Sequence, residues 1–304
     1  MILGELELIA AIQDALSDRS GRLVRWTGDD AAVVRARPFA ITSIDTVVEG
    51  THFRLDTHTA ADVGWKALAT ALSDLAAMGA EAGEAYVSLV LPEGFADALE
   101  LVRAMEELAA GSETTIAGGD VVRGPVLVAT VAVTGWAETE GDLVSRSGAA
   151  AGDLVGVTGE LGGSEAGRRL LEAGERSPAA LVERHLRPRP RLREGRALAA
   201  AGASAMIDLS DGLATDAAHV ARNSGVQLRV ELGRLPLADG VTAEQAAVGG
   251  DDYELLVTVP PSRRDEIERA AAITWIGEVA PGEGLVLLDA DGRPVEGLRG
   301  FEHG

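Results

Sequence analysis

The spacing of apolar residues in the first half of the chain changes between helix-like and strand-like periods. Apolar positions between Leu8 and Leu16 recur at helical spacing and predict an amphipathic helix over residues 5–16. Thr59-Ala60-Ala61-Asp62 resembles a capping box with Asp in place of Glu, and predicts a helix that runs to about Met78 and stops at Gly79.

Shorter apolar runs between these helices and residue 137 complete the first part of the chain. They predict strands at about 32–35, 39–44, 85–91, 114–117 and 126–136 and a helix at about 95–110. The resulting order, ββαβαββ, is typical of an α+β domain with helices on one face of a sheet.

Small and polar residues between 137 and 152 predict a domain boundary. We therefore divide the chain into an N-terminal domain (1–137), a linker (138–152) and a C-terminal domain (153–304). The elements predicted after the linker are strands at about 154–157, 205–207, 226–231, 253–259, 273–279 and 284–288, with helices ending near Gly174 and spanning about 191–201, 211–223 and 262–271. We expect Ser210 to cap the 211–223 helix and Gly225 to follow it. The pattern indicates a second α+β unit.

Composition narrows the classes of protein. The chain of 304 residues is 46% hydrophobic but only 3% aromatic, so its core is predicted to be aliphatic and Ala-rich. A formal net charge of -21 argues against nucleic acid and anionic membranes as partners. The chain has no Cys, which excludes disulfides, thiol catalysis and Cys-ligated metals.

The sequence contains no apolar run close to the roughly 20 residues that a membrane-spanning helix needs. The N-terminus has neither a basic segment nor a continuous apolar one, so no signal peptide is predicted. The expected location is the cytoplasm.

Aspartates recur in Gly turns and at the ends of predicted strands. Such positions favour Asp for its turn chemistry alone, and a turn role is the simpler interpretation of each residue taken singly. Their number in a chain with few His indicates a hard cation such as Mg²⁺. The positions are Asp29, Asp30, Asp45, Asp74, Asp120, Asp208, Asp211, Asp251 and Asp252. We interpret them as one site for Mg²⁺ and a polyphosphate, in which bound cations would reverse the local charge.

Four of these aspartates have a specific context. Asp74 interrupts an apolar helix and shares a polar face with Lys66; that face is either functional or simply solvated. Gly118-Gly119-Asp120 follows a predicted strand, where two glycines would let the backbone approach a phosphate, or would form an ordinary turn. Asp208-Leu209-Ser210-Asp211-Gly212 joins a strand to a helix N-terminus, which favours an anion, although Asp211 can also be read as a helix cap.

Other nucleotide and catalytic motifs are missing from the sequence. No Walker A motif is present, and the run Gly156-x-x-Gly159-x-x-Gly162 has the wrong spacing for a dinucleotide fingerprint. The histidines show no metal-ligand spacing, and no Ser-His-Asp or HExxH pattern is evident. His52 follows the first acidic stretch, so it is either a substrate contact or an ordinary loop residue.

Taken in order, the motifs resemble thiamine-monophosphate kinases, which belong to the AIR-synthetase-like ATP-binding superfamily. Each motif is weak by itself, but the ordered set spans nearly the whole chain and is specific. The motifs are Gly28-Asp29-Asp30-Ala31, Ser43-Ile44-Asp45-Thr46, Gly50-Thr51-His52-Phe53, Trp65-Lys66-Ala67-Leu68, Leu72-Ser73-Asp74-Leu75, Gly118-Gly119-Asp120, Arg146-Ser147-Gly148, Asp208-Leu209-Ser210-Asp211-Gly212, Gly249-Gly250-Asp251-Asp252-Tyr253-Glu254-Leu255 and Gly300-Phe301-Glu302-His303.

The resemblance implies a two-domain α+β fold. Its N-terminal mixed sheet would carry helices on one face and pair with a second copy into a barrel, giving a homodimer, and its C-terminal domain would be an α/β sandwich. It also implies transfer of the γ-phosphoryl group of ATP to thiamine monophosphate, giving thiamine diphosphate and ADP, with several Mg²⁺ ions.

The resemblance further implies binding roles for individual residues. It implies no catalytic side chain. Ile44 falls where many members have Thr, which puts a side-chain contact with metal there in doubt, and Asp251 stands where some members have Glu. The implied metal residues are Asp30, Ser43, Ile44, Asp45, Asp74, Asp120, Asp208 and Asp211; the implied ATP contacts are Gly119, Asp120, Arg146 and Ser210; the implied substrate contacts are His52, Asp251 and Phe301.

Elementary chemistry fits this reaction. The acceptor is a phosphate monoester whose second pKa is about 6, so it is largely dianionic at pH 7 and needs no general base. Mg²⁺ would bring two anions together and align them for in-line transfer. Two alternatives remain: another enzyme of the superfamily, or a non-catalytic Mg-nucleotide sensor. Selenophosphate synthetase and the hydrogenase-maturation dehydratase rely on a Cys or selenocysteine that this chain lacks, whereas AIR synthetase would lack the closing motif.

Overall fold

The computed structural model describes residues 4–301. Glu302 and His303 of the closing motif lie outside the described residues. The described chain forms two compact units, one comprising residues 4–75 and 81–140 and the other residues 76–80 and 141–301. The sequence-based limits 1–137, 138–152 and 153–304 remain a prediction.

The first unit contains three α-helices and six strands among the described residues. They are α1 (Glu5–Ala15), β1 (Leu23–Arg25), β2 (Val33–Val34), β3 (Phe39–Val48), α2 (Ala60–Ala77), β4 (Glu81–Leu91), α3 (Ala98–Gly111), β5 (Thr115–Arg123) and β6 (Val128–Ala137). The predicted capping box begins α2, because Thr59 N–H donates to Asp62 Oδ2 and Asp62 N–H donates to Thr59 Oγ1.

The main sheet of this unit has the strand order β3-β6-β4-β5, whereas β1 and β2 form a separate two-stranded ribbon. β6 pairs antiparallel with both neighbours, and β4 and β5 are parallel. Side chains of β6 alternate between buried and partly exposed, as in a sheet covered on one face. On the helical side, Gly64 of α2 lies directly against the backbone of Leu101 in α3.

The structure corrects the predicted end of β5. The sequence suggested a strand that stops at Ala117 with a turn after it, but β5 continues through Gly118-Gly119-Asp120 to Arg123. Ile116 pairs with Ala85 and Gly118 with Tyr86, so Ala117 is an extra residue in a bulge. The bulge allows pairing to resume beyond it, which the local sequence does not reveal.

The second unit contains a larger sheet with helices. Its elements are β7 (Leu154–Val157), α4 (Gly163–Glu172), α5 (Ala179–Leu186), α6 (Leu192–Ala201), β8 (Ala205–Asp208), α7 (Leu213–Ser224), β9 (Gln227–Glu231), α8 (Ala243–Val248), β10 (Leu255–Val259), α9 (Arg264–Ala270), β11 (Thr274–Ala280), β12 (Gly284–Leu288) and β13 (Pro294–Val295). The strand order is β13-β12-β9-β11-β7-β10-β8, in which β12 and β9 are parallel and the other pairs are antiparallel.

The start of α7 also differs from its prediction. Gly212, with φ of 107°, occupies the N-cap position and Ser210 makes no capping bond, so α7 begins at Leu213. The left-handed φ favours glycine there and turns the chain before the helix can start. The predicted stop at Gly225 is confirmed by its φ of 65°.

The core is aliphatic and Ala-rich, as predicted. In the second unit, Val155, Val157 and Ile207 of the sheet are at most 1% exposed and pack in one cluster with Leu213 and Ala217 of α7. This rigid cluster fixes the strand end at Asp208 and the helix start at Leu213. Among the described residues, every helix is too short or too polar to cross a lipid bilayer.

Candidate functional site

The first unit brings together Ser43 and Asp45 of β3 with Asp74 of α2. Ser43 Oγ donates a short hydrogen bond to Asp74 Oδ2. Burial, the neighbouring Asp74 carboxylate and the hydrogen bond between them together raise the pKa of Asp45 to about 6. Two carboxyl groups and a hydroxyl therefore form a partly buried cluster whose negative charges oppose each other.

The polar face of α2 is buried. Lys66 is 1% exposed and Ser73 is fully buried, while Thr70 donates its hydroxyl to the carbonyl of Ala67 at 3.1 Å. The alternative of a solvated polar face is therefore wrong. The helix presents polar groups to the interior of the unit, and Asp74 extends that face to the cluster.

Asp120 lies away from this cluster within the chain. Asp45 is on β3 and Asp120 is on β5, at opposite edges of the four-stranded sheet. Three strand spacings separate them, or about 14 Å at about 4.8 Å each. Asp120 is exposed, and Ser88 of β4 is its partner in the register. One chain does not bring these two predicted metal residues together.

Ile44 and Gly119 have structural explanations. Ile44 alternates with Ser43 and Asp45 along β3, so its side chain, 66% exposed, projects from the other face of the sheet. A Cβ atom on Gly119 would lie 2.1 Å from the carbonyl oxygen of Val87. The glycine is required for the pairing of β5 with β4, independently of any phosphate.

Asp30 and His52 lie in turns on either side of β3. Asp30 is exposed, and its N–H donates to Asp29 Oδ1, while Asp29 pairs with Arg25 at 3.1 Å. His52 Nδ1 accepts the N–H of Val48 at 3.1 Å, which assigns the ring proton to Nε2. The backbone N–H of Val48 thereby fixes the orientation of the His52 ring.

In the second unit, three aspartates converge on the turn of residues 208–212. Asp208 ends β8 and is 3% exposed. Asp216, which sequence reasoning missed, is 2% exposed, and its Oδ2 accepts the N–H groups of Asp211 and Gly212, each at 3.1 Å. Burial and the charges of Asp208 and Asp211 together raise the pKa of Asp216 to about 8 in spite of these hydrogen bonds. The sequence feature that could have revealed Asp216 is its position as an acidic residue in the first turn of a helix that follows a Gly.

Three successive carbonyl groups of this turn bind two other loops. Leu209 O accepts the N–H of Tyr253 at 2.9 Å, Ser210 O accepts that of Asp251 at 2.8 Å, and Asp211 O accepts that of Phe301 at 2.8 Å. The structure thus brings together Asp208, Ser210, Asp211, Asp251 and Phe301 of the predicted set. The Phe301 side chain is 54% exposed.

Arg146 lies in a loop tied to the far end of α7. Ser224 Oγ accepts the N–H groups of Gly148 and Ala149, each at 3.2 Å. Burial and the nearby Arg222 and Arg146 lower the pKa of His219, whereas Asp211 acts in the opposite direction. The charges of Arg146 and Asp211 therefore both affect the pKa of His219 on α7.

Asp252 and Glu254 serve the Gly-rich turn before α4. Asp252 accepts the N–H of Gly162 at 2.6 Å and that of Ser164 at 3.1 Å, and so caps α4 from a distant loop. Burial raises the pKa of Asp252 to about 7 in spite of these bonds. Glu254 accepts the hydroxyl of Thr158 at 2.6 Å and the Nε–H of Arg191 at 2.8 Å.

The donor chemistry of both clusters fits Mg²⁺. Carboxylate and hydroxyl oxygens are its preferred protein ligands, and opposed buried carboxylates gain most from a cation. Within residues 4–301, no three His, Cys, Asp or Glu side chains form a ready-made metal cage. Mg²⁺ commonly binds through one or two carboxylates together with substrate phosphates and water, so such a cage is not required.

Comparisons with known proteins agree with this architecture. The AIR synthase related protein N-terminal domain matches residues 28–137 and the corresponding C-terminal domain matches residues 150–289. The thiamine-monophosphate kinase of Salmonella typhimurium is 39% identical over an alignment that covers 100% of this chain and 99% of the relative.

Two solved structures extend the similarity to the fold. The thiamine-monophosphate kinase from Stenotrophomonas maltophilia K279a gives a TM-score of 0.85 at 33% identity, covering 97% of this chain and 99% of that one. AaThiL complexed with AMPPCP and TMP gives 0.79 at 31% identity, covering 100% and 99%. The two-domain α+β fold expected from the sequence is confirmed, and the chain belongs to the thiamine-monophosphate kinase family of AIR-synthase-related proteins.

Proposed function

We propose that this chain transfers the γ-phosphoryl group of ATP directly to the phosphate of thiamine monophosphate, with the help of several Mg²⁺ ions. Membership of the kinase family supports the reaction, and the complex of AaThiL with AMPPCP and TMP supports the pair of substrates. The observation that carries the metal dependence is the opposed carboxylates in each unit: Asp45 with Asp74, and Asp208 with Asp211 and Asp216.

The side chains then divide by chemistry. Ser43, Asp45 and Asp74 in the first unit, and Asp208 and Asp211 in the second, would hold Mg²⁺; Asp30, Asp120 and the backbone of Ile44 are further candidates. When bound, Mg²⁺ neutralises phosphate charge and orients the reacting groups. Gly119, Asp120, Arg146 and Ser210 would contact ATP, with the Arg146 guanidinium suited to phosphate oxygens.

The acceptor side requires recognition rather than proton transfer. Because the acceptor is largely dianionic at pH 7, with a second pKa of about 6, no side chain has to remove a proton. Asp251 offers a negative charge to the cationic ring of thiamine, Phe301 offers an exposed aromatic face, and His52 offers a ring N–H.

We also propose that two copies pair through the first unit. β3 and β5 form the two edges of the described four-stranded sheet, and each edge carries exposed apolar side chains such as Ile44 and Val122. Pairing of β3 with β5 of a second copy would close the sheets into a barrel and bring an Asp120 to the edge that carries Asp45. Light scattering on the purified protein measures its molar mass, and a monomeric mass would reject this pairing.

The decisive experiment is ADP release from Mg-ATP with and without thiamine monophosphate, with the product identified by mass. Thiamine diphosphate that appears only when Mg²⁺ is present is the expected result. ATP binding without that product would reject the proposed reaction and favour a nucleotide sensor or another reaction of the superfamily.

Two variants test the metal assignment in the same assay. Asp74→Asn and Asp120→Ala should each lower kcat by about a hundredfold or more while the protein stays folded. Asp97→Asn is the matched control, because Asp97 is exposed and makes no capping hydrogen bond with its side chain. Near-wild-type turnover in either site variant would remove that residue from the metal set.

A further inference from the structure

The loop of residues 249–254 holds two side-chain-bearing residues in the left-handed backbone region. Asp251 has φ of 64° and Tyr253 has φ of 50°. A bulky residue rarely adopts this conformation, because its Cβ atom crowds the neighbouring peptide. Two such residues within three positions show that contacts outside the loop impose its backbone.

Those contacts come from the turn that carries Asp208 and Asp211. Asp251 and Tyr253 donate their N–H groups to Ser210 O and Leu209 O, and Leu209 donates its own N–H to Glu254 O at 2.8 Å. A Cβ atom on Gly250 would lie 2.6 Å from Ser210 O, so the close approach needs a glycine. The loop is thereby fixed on a core-anchored turn.

The strained backbone brings one side-chain contact into place. The Tyr253 hydroxyl donates to Asp251 Oδ1 at 3.0 Å, and Tyr253 is only 6% exposed. A hydrogen bond is directional, so this contact restricts the rotation of the Asp251 side chain. The buried phenol of Tyr253 therefore orients the carboxylate of Asp251.

The other two carboxylates of the segment have different surroundings. Asp252 binds the backbone at the start of α4, and Glu254 binds Thr158 and Arg191. These bonds commit both residues to holding the fold. Asp251 is instead oriented by a hydroxyl group of its own loop, and its N–H binds Ser210 O, the carbonyl next to the one that binds the segment carrying Phe301.

We propose that Tyr253 is a positioning residue for the phosphate acceptor: its hydroxyl holds the Asp251 carboxylate in the orientation that recognises the cationic ring of thiamine monophosphate. This inference rests on the proposed function and on the proposed contact of Asp251 with the acceptor. Tyr253 acts through Asp251 and takes no part in the transfer itself.

Tyr253→Phe tests the inference, because it removes only the hydroxyl and keeps the buried ring. The KM for thiamine monophosphate should rise by about tenfold, whereas kcat and the KM for ATP change by less than about twofold. Tyr86→Phe is the matched control: it removes the hydroxyl of the chain's other tyrosine, on β4, and should leave all three constants unchanged.

A double-mutant cycle separates positioning from a general structural effect. If Tyr253 acts through Asp251, the double variant Tyr253→Phe/Asp251→Asn should have the KM of Asp251→Asn alone. Additive effects would overturn the inference, as would an equal rise in the KM for ATP, which indicates damage to the unit as a whole.

Calorimetric binding of thiamine monophosphate, without ATP, keeps the two proposals distinguishable. The same tenfold or so loss of affinity is expected for Tyr253→Phe, whether or not the wild-type protein forms thiamine diphosphate. Binding without turnover would reject the proposed reaction while the ratio of affinities still decides the role of Tyr253. Equal affinities, or no binding by the wild-type protein, would overturn the inference.

Discussion

At the scale of single residues, Asp216 combines a stabilising and a destabilising contribution in one carboxyl group. One oxygen atom, Oδ2, accepts two backbone N–H groups that would otherwise lack this partner in a buried turn. The same group lies near Asp208 and Asp211, and burial raises its pKa to about 8. Its hydrogen bonds therefore hold the turn, whereas its charge opposes the folded state.

Two substitutions separate these contributions. Asp216→Asn keeps an acceptor oxygen where Oδ2 stands but removes the charge, so the free energy of unfolding without divalent cations should rise by at least about 1 kcal/mol at neutral pH. Asp216→Ala also removes the charge but leaves two backbone donors unsatisfied, so its free energy of unfolding should lie about 2 kcal/mol or more below that of Asp216→Asn. Urea denaturation monitored by circular dichroism measures both.

The order of the two variants is the critical result. If Asp216→Asn were less stable than Asp216→Ala, the N–H groups of Asp211 and Gly212 would not depend on Oδ2. If Asp216→Asn matched the wild-type protein at all pH values, the charge of Asp216 would have no cost.

At the scale of elements, the contact between α2 and α3 depends on Gly64. A Cβ atom at this position would lie 2.0 Å from the carbonyl oxygen of Leu101. Gly64→Ala should therefore separate the two helices and destabilise the protein by about 1–3 kcal/mol, although Ala is the better helix former. Because α2 also carries Asp74, the KM for Mg²⁺ should rise as well.

Gly111→Ala is the matched control for this substitution. Gly111 is the last residue of α3, and no atom lies within 4 Å of the Cβ position there. The substitution should leave the urea midpoint unchanged or raise it slightly. A midpoint for Gly64→Ala equal to that of Gly111→Ala would show that the helices can accommodate the added methyl group.

The same elements show how far local sequence determines structure. The capping box at Thr59 and the stop at Gly79 are local signals, and both were predicted. The predicted start of α7 at Asp211 is wrong. Ser210 resembles a helix cap in the sequence, whereas the left-handed φ of Gly212 delays the helix to Leu213. The extension of β5 was missed because it depends on a bulge and on pairing with β4, which are not local properties.

At the scale of the whole molecule, the candidate site was predictable in chemistry but not in arrangement. The ordered motifs predict Asp45, Asp74, Asp208 and Asp211 as metal residues, and that role stays a prediction. The pairing of Asp45 with Asp74 requires α2 and β3 to pack, and the role of Asp216 requires the turn to fold back on its helix. Such contacts join distant or reoriented segments, so sequence spacing alone does not reveal them.

The buried carboxyl groups of this acidic chain make the stability of the whole molecule depend on pH. The net charge is -21, and three carboxyl groups have pKa values raised mainly by burial: Asp45 to about 6, Asp252 to about 7 and Asp216 to about 8. Their ordinary value is 3.8, so between about pH 4 and pH 8 the folded chain binds more protons than the unfolded chain. Folding stability therefore falls as the pH rises through this range.

Cation binding should reverse this trend. Without divalent cations, the Tm should be lower at about pH 8 than at about pH 5, and excess Mg²⁺ should raise the Tm more at the higher pH, where the carboxylates are ionised and bind it best. Thermal scans at both pH values, with EDTA or with Mg²⁺, test this.

Asp45→Asn/Asp216→Asn should show a weaker dependence of the Tm on pH in EDTA and a smaller response to Mg²⁺, whereas the surface control Asp97→Asn should behave as the wild-type protein. A Tm in EDTA that increases with pH would contradict the raised pKa values of the buried carboxyl groups, and an equal Mg²⁺ response at both pH values would contradict the proposal that the cation binds at the two carboxylate clusters.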